Sequence, residues 1–134
     1  MSSNRTVIEA AVALVVVKGE LDAIDQFFTP DYAVHLTDGE LAGGHSLIRR
    51  AVGMLLKAFS DLQIDVDILV ADGDRIAWRR TLRGTQAGPY KGFPATGRTV
   101  VWRDMITSEF RDGKISQEWV VTDLAERLLL GRKG

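Results

Sequence analysis

Four side chains are polar where the pattern of the chain asks for apolar ones: Arg80, Asp104, Gln117 and Asp123. They come from reading strand alternation. "DLQIDVDILV" and "RIAWRRTLRG" flank "ADGD", while "TVVWRDMITSEF" and "KISQEWVVTD" flank "RDGK", so two Asp-Gly turns predict two antiparallel hairpins. A three-residue loop, Asp72 to Asp74, pairs Val70 with Ile76, Ile68 with Trp78, Val66 with Arg80 and Ile64 with Leu82. A two-residue Asp112-Gly113 turn pairs Phe110 with Ile115, Ser108 with Gln117, Ile106 with Trp119, Asp104 with Val121 and Trp102 with Asp123. One face is then built of Ile, Val, Leu, Phe and Trp around the four intruders.

An aspartate on an apolar face is costly unless it is paired or hydrogen-bonded. Asp104 and Asp123 come out as diagonal neighbours, within reach of each other or of a shared ligand. Two readings stand side by side. In the structural one, Arg80 and Asp104 form a buried ion pair and Asp123 caps the last helix, "LAERLLL". In the chemical one, a cavity lies over this face with Asp123 at its floor as general acid or base, desolvated against Trp102 and Trp119. Arg80, Gln117 or Asp104 would then orient a substrate or a developing oxyanion. Trp78, Trp102 and Trp119 serve either as core or as walls for a ligand. Glu118 alternates away from Trp119 and reads as an outward carboxylate.

These strands need helices to cover them, and the first half of the chain supplies helical periodicity. Val7, Ile8, Ala11, Leu14 and Val15 mark a first helix capped by Asn4 or Thr6. Leu21, Ile24, Phe27 and Phe28 mark a short second helix that Pro30 stops. "YAVHLT" reads as a strand on which His35 points away from a core of Tyr32, Val34 and Leu36, with a pocket role as the alternative. A third helix, entered through glycines and Ser46, turns Leu47, Ile48, Ala51, Leu55 and Phe59 inward, and His45 at its start reads as a surface or capping residue. Between the hairpins, "GPYKGFPATGRTV" is either an ordered connector or a rim in which Tyr90 or Phe93 shields a cavity from water. Helices first and a four-stranded antiparallel meander afterwards argue an α+β fold with helices packed on one face of a curved sheet.

Composition excludes much else. At 134 residues, 46% hydrophobic and with a formal charge of -1, the chain fits one domain spanning residues 1–134, with no basic stripe for nucleic acid beyond the local tail "GRKG". Without cysteine there is no thiolate or zinc-cysteine chemistry, and His35 and His45 stand in no ligand spacing, so no metal is expected. The longest apolar run, "AAVALVVV", falls far short of the roughly 20 residues that span a bilayer. The expectation is a soluble, cytoplasmic protein.

From about residue 55 to 130, "DGDRIAWRRTLRGT", the Gly92–Arg98 loop in the form G-x-P-x-T-G-R, and "DGKI…EW…D" ending at Asp123 resemble the SnoaL-like polyketide cyclase family of the nuclear-transport-factor-2-like superfamily. The resemblance implies a cone-shaped, curved antiparallel sheet with N-terminal helices over its concave face, a deep apolar cavity for a hydrophobic small molecule, no cofactor, and often a homodimer through the exposed sheet face. It implies intramolecular aldol ring closure and assigns the acid/base aspartate to Asp123. Members usually show His-Trp in place of Glu118-Trp119, often Asp in place of Val120, and a small residue in place of Asp104. Relatives of the same fold include epoxide hydrolases and isomerases. Arg80, Asp104 and Asp123 supply the residue types for hydrolysis, although Arg103 beside Asp104 must face the other way. A non-catalytic binding or dimerising module is the third reading.

Overall fold

A computed structural model of the chain describes residues 3–37, 39 and 41–131; the rest of the basic tail, residues 132–134, lies outside them. Ser3, rather than Asn4 or Thr6, caps α1 (Asn4–Ala11), its hydroxyl accepting the Thr6 N–H at 3.2 Å. The helix continues as a wider π-helical stretch, Val12–Val17, that buries Val12 and Val15. After a 3₁₀ turn at Leu21–Ala23, a single turn of α2 (Ile24–Phe27) runs straight into strand β1 (Phe28–His35). Pro30 therefore lies inside a strand instead of stopping a helix. It is tolerated because the ladder with the neighbouring strand is broken between Phe28 and Ala33, where a missing N–H costs nothing.

A short β2 (Leu41–Gly43) leads through Gly44 to α3 (His45–Ala58), whose first turn has no side-chain cap, so Ser46 does not serve as one. Ile48, Val52 and Ala58 are buried on α3, followed by Phe59, while Ala51 is exposed. His45 ties the helix start to β1, its Nε2 donating to the Thr29 carbonyl at 2.9 Å. The remaining strands are β3 (Gln63–Asp72), β4 (Arg75–Thr85), β5 (Thr99–Arg111) and β6 (Lys114–Thr122), with α4 (Leu124–Gly131) last.

The sheet order is β2-β1-β6-β5-β4-β3. The expected meander is thus extended by β1 and β2, and because β1 runs parallel to β6 the six-stranded curved sheet is mixed rather than purely antiparallel. Both hairpins form where the Asp-Gly signals placed them, and both contain a bulge that alternation did not reveal. In the first, the turn is the two residues Gly73-Asp74 and a bulge at Leu69 restores the expected register from Ile68↔Trp78 onward. Val70 faces Ala77 instead of Ile76 and is 61% exposed. In the second, Asp112 (φ 54°) and Gly113 (φ 77°) adopt the left-handed conformations a two-residue turn demands. Phe110↔Ile115 holds as expected, but Ser116 is bulged, and beyond it Ser108 faces Glu118, Ile106 faces Val120 and Asp104 faces Thr122. Glu118 and Val120 consequently enter the interior, and Gln117, Trp119 and Val121 leave it.

The covered face carries two apolar clusters. One gathers Ile8, Val15, Ile24, Tyr32, Trp78, Ile106 and Phe110; the other gathers Phe59, Leu62, Leu82, Trp102, Leu124 and Leu128. Along β4 the inward positions read Trp78, Arg80, Leu82, and along β5 Trp102, Asp104, Ile106, with Arg80 directly opposite Asp104. The charged pair lies at the seam between the clusters.

Two glycines test this packing in opposite directions. A β-carbon at Gly43 would stand 2.7 Å from the Tyr32 carbonyl oxygen, whereas one at Gly53, on an open face of α3, would meet nothing within 4 Å. Gly43→Ala should lower the urea midpoint by the equivalent of about 1–3 kcal/mol. Gly53→Ala should raise stability by about 1 kcal/mol through helix propensity alone.

Candidate active site

Arg80 Nε donates to Asp104 Oδ2 at 2.8 Å, and the two side chains are 21% and 5% exposed. The guanidinium also lies over the Trp78 ring, 5.9 Å from its centroid. Among the described residues Arg80 uses only Nε in hydrogen bonding, and nothing donates to Asp104 Oδ1, which is buried. A strand pair in register thus holds an ion pair inside an apolar face with hydrogen-bonding capacity left over.

Beside it sits a second acid that alternation had turned outward. Glu118 is buried and accepts from the Tyr32 hydroxyl at 2.7 Å and the Ser108 hydroxyl at 2.5 Å; Ser108 in turn accepts from the Trp78 indole N–H at 2.9 Å. Burial pushes the Glu118 carboxyl above the ordinary glutamate value, while the two hydroxyls and the charge of Arg80 pull it partly back. Burial and the neighbouring Glu118 raise the Tyr32 phenol well above its usual range. Tyr90 is raised by burial and by the charge of Asp104, and lowered by Arg80. One guanidinium therefore acts on both acids' surroundings and on two tyrosines.

Trp78 and Trp102 are buried on this face as expected. Tyr90 and Phe93 border it. Their backbones exchange two hydrogen bonds, 2.9 and 2.8 Å, across a tight turn in which Lys91 (φ 45°) and Gly92 (φ 86°) are both left-handed, and the two rings pack on the Phe59–Trp102 cluster. What holds this loop is Gln86, which sequence reasoning passed over. Fully buried, it donates to the Pro94 carbonyl at 3.1 Å and accepts from Thr96 at 3.0 Å, and its backbone pairs with Arg98 and Gly97.

The other expected site residues lie elsewhere. Trp119 is on the opposite face, stacked on His35 at 4.8 Å, and His35 Nε2 donates to Gln117 Oε1 at 2.7 Å. Gln117 donates to Glu109, and Arg75 lies over Trp119 and beside Glu109. The Ser116 bulge is the physical reason for both departures. Asp123 is not a diagonal neighbour of Asp104 on the inner face. Its Oδ1 accepts the Arg103 N–H at 2.8 Å, and its Oδ2 pairs with Arg127 one turn into α4 at 3.1 Å. A surface cleft of about 430 Å³ adjoins the outer-face cluster, lined by Asp31, Glu109, Arg111 and Gln117. Among the described residues no three His, Asp or Glu side chains gather as a metal site would require, and no helix is long and apolar enough to cross a membrane.

A curved mixed sheet covered by helices on one face, with charged groups at its inner surface, defines a half-open α+β cone. The chain belongs to the SnoaL-like polyketide cyclase family, whose sequence model matches residues 6–129. AclR from Streptomyces galilaeus, described as a candidate hydroxylase, is 30% identical and superposes with a TM-score of 0.80 over 96% of this chain and 93% of that one. IdmH from Streptomyces antibioticus, described as a candidate polyketide cyclase, is 26% identical, with a TM-score of 0.82 over 97% and 99% of the two chains. TsrD from Streptomyces laurentii is 27% identical, with a TM-score of 0.79 and 92% of each chain covered. No curated protein matches.

The raised Glu118 carboxyl has a signed consequence for stability. The folded chain holds this proton more tightly than the unfolded chain, so between the ordinary glutamate value and the raised one the folded state binds more protons. Stability from this group is complete below that window and falls as pH rises through it. Asp61, lowered by the Thr85 N–H and hydroxyl, acts in the opposite sense at lower pH and cancels in a difference measurement. Glu118→Gln should therefore match the wild type in urea midpoint at acid pH and gain on it as pH rises toward neutrality. A constant difference across the titration would be the contrary result.

Proposed function

We propose that this protein is a cofactor-independent acid–base enzyme, a cytoplasmic homodimer acting on a hydrophobic carbonyl compound in the manner of a polyketide cyclase. The observation that carries the reading is charge concentrated on an otherwise apolar face: Arg80 paired with Asp104 at 2.8 Å, and Glu118 buried within the field of the same guanidinium. In this reading Glu118, as carboxylate, takes a proton from the carbon α to a carbonyl, and the terminal N–H groups of Arg80 stabilise the enolate oxygen. The enolate carbon then bonds to a second carbonyl carbon, that carbonyl's π pair moves onto its oxygen, and Glu118 returns the proton there. Burial makes Glu118 a stronger base than a solvated glutamate. Trp78, Trp102, Tyr90 and Phe93 furnish apolar walls, and Asp104 fixes the guanidinium. Asp123, to which the resemblance assigns the acid–base step, serves in this reading to anchor α4 through Arg103 and Arg127.

One observation favours a binding module instead: both Glu118 oxygens already receive hydrogen bonds, as in a structural network. Exchange of the α protons of 2-tetralone in heavy water, followed by proton NMR, separates the two. The wild type should accelerate exchange, Glu118→Gln should lose about 10²–10⁴-fold of that acceleration, and Asp123→Asn should keep most of it. Loss in Asp123→Asn alone would return the proton transfer to Asp123. Binding without acceleration, for this ketone and for an epoxide in heavy-oxygen water, would leave the module.

For the dimer, the outer face offers Val101, Met105 and Val121, all exposed, beside the Arg79–Asp67 ion pair. Met105→Asp should convert the dimer to monomer in sedimentation equilibrium without changing the fold.

A further inference from the structure

Asp104 has one more oxygen than its ion pair uses. Oδ2 accepts from Arg80 at 2.8 Å, while Oδ1 is buried and accepts nothing among the described residues. A buried carboxylate oxygen left without a donor is destabilising, and the polar groups around this one are served. Glu118 receives two hydroxyls and Ser108 receives an indole N–H. Nearby donors are turned elsewhere. Thr122, opposite Asp104 in the ladder, accepts the Leu124 N–H with its hydroxyl oxygen and makes no bond to Asp104 Oδ1, and Tyr90 feels the charge of Asp104 without bonding to it. The inward neighbours along β5, Trp102 and Ile106, are apolar packing residues.

We propose that Asp104 Oδ1 is the acceptor for a hydroxyl of the ligand, so that this site selects molecules presenting a phenol, enol or alcohol O–H beside Arg80. The inference rests on the reading of the inner face as the ligand site. The free N–H groups of Arg80 lie on the same pair, so one hydroxyl is met twice: its proton by Asp104, its oxygen by the guanidinium. No proton leaves the hydroxyl. Asp104 is in this sense a positioning and specificity residue, distinct from the proton transfer given to Glu118. Selection of this type is strong because a ligand lacking the O–H leaves the carboxylate oxygen buried and unpaired.

Equilibrium dialysis of the full chain against 2-naphthol and 2-methoxynaphthalene reads the preference directly. The wild type should bind 2-naphthol at least about tenfold more tightly. In Asp104→Asn the amide oxygen stays on Arg80 Nε and the NH₂ faces the ligand, so the preference should vanish or reverse toward the ether. Glu118→Gln should keep the wild-type preference even where α-proton exchange is lost, which separates failure of this inference from failure of the catalytic reading. Parity in the wild type, including absence of binding by both compounds, overturns the proposal, as does an undiminished preference in Asp104→Asn. Should that variant fail to fold, a series of ring-substituted naphthols decides with the wild type alone. A carboxylate acceptor binds the more acidic hydroxyl more tightly, and affinities indifferent to acidity overturn it.

Discussion

The contact between Arg80 and Asp104 constrains both the packing and the electrostatics of this molecule. It joins β4 to β5 in register at the place where the two apolar clusters meet, and both clusters border it. An ion pair in such a position is not a bargain in stability, because desolvating two charges offsets most of their attraction. Breaking it by removing one partner is another matter, costing roughly 3–5 kcal/mol, since the remaining charge is left buried and alone. Burial is the main influence on Glu118, Tyr32 and Tyr90, and the same contact adds to it, through Arg80 at all three and through Asp104 at Tyr90. Packing and electrostatics on this face therefore cannot be varied independently.

The rest of the fold supplies what the pair lacks. β1, running parallel to β6, brings Tyr32 to Glu118 across 86 residues of sequence, and the π-helical stretch and α3 close over the strands. The loop between β4 and β5, residues 86–98, is held in place at both its base and its tip. Gln86 fastens it from beneath, and Tyr90 and Phe93 rest on Phe59 and Trp102 at the margin of the charged seam. Lys91 holds a left-handed conformation that a glycine or asparagine would adopt with less strain.

Much of this was legible in the sequence, for reasons that also explain what was not. The Asp-Gly turns and the alternation of Ile64, Val66, Ile68, Trp78, Leu82, Trp102 and Ile106 define four strands and the covered face, because burial on one side forces a period of two. Arg80 opposite Asp104 followed from those positions. The bulges did not, since neither Leu69 nor Ser116 differs in type from an ordinary strand residue. In β6 the frame that buries Trp119 and Val121 is more apolar than the true one, which buries Glu118. The β1–β6 pairing depends on contacts distant in sequence and leaves no local mark, and Gln86 has the type of any polar loop residue, its hydrogen bonds to Phe93, Pro94, Thr96, Gly97 and Arg98 being set by the folded loop.

The one unpaired residue at Ser116 means that β6 stores two interiors in a single segment. One offers an acid and a valine; the other, Gln117, Trp119 and Val121, offers an amide, an indole and a valine, presently spent on the outer surface with His35. Nothing in the composition of the strand would have to change for the second set to be presented. The second set reaches the interior when Ser116 leaves the bulge and takes the place opposite Glu109, moving every later residue of β6 by one position, so the choice between the two linings rests on register alone; loss of Ser116 would only regularise the ladder and keep Glu118 and Val120 inside.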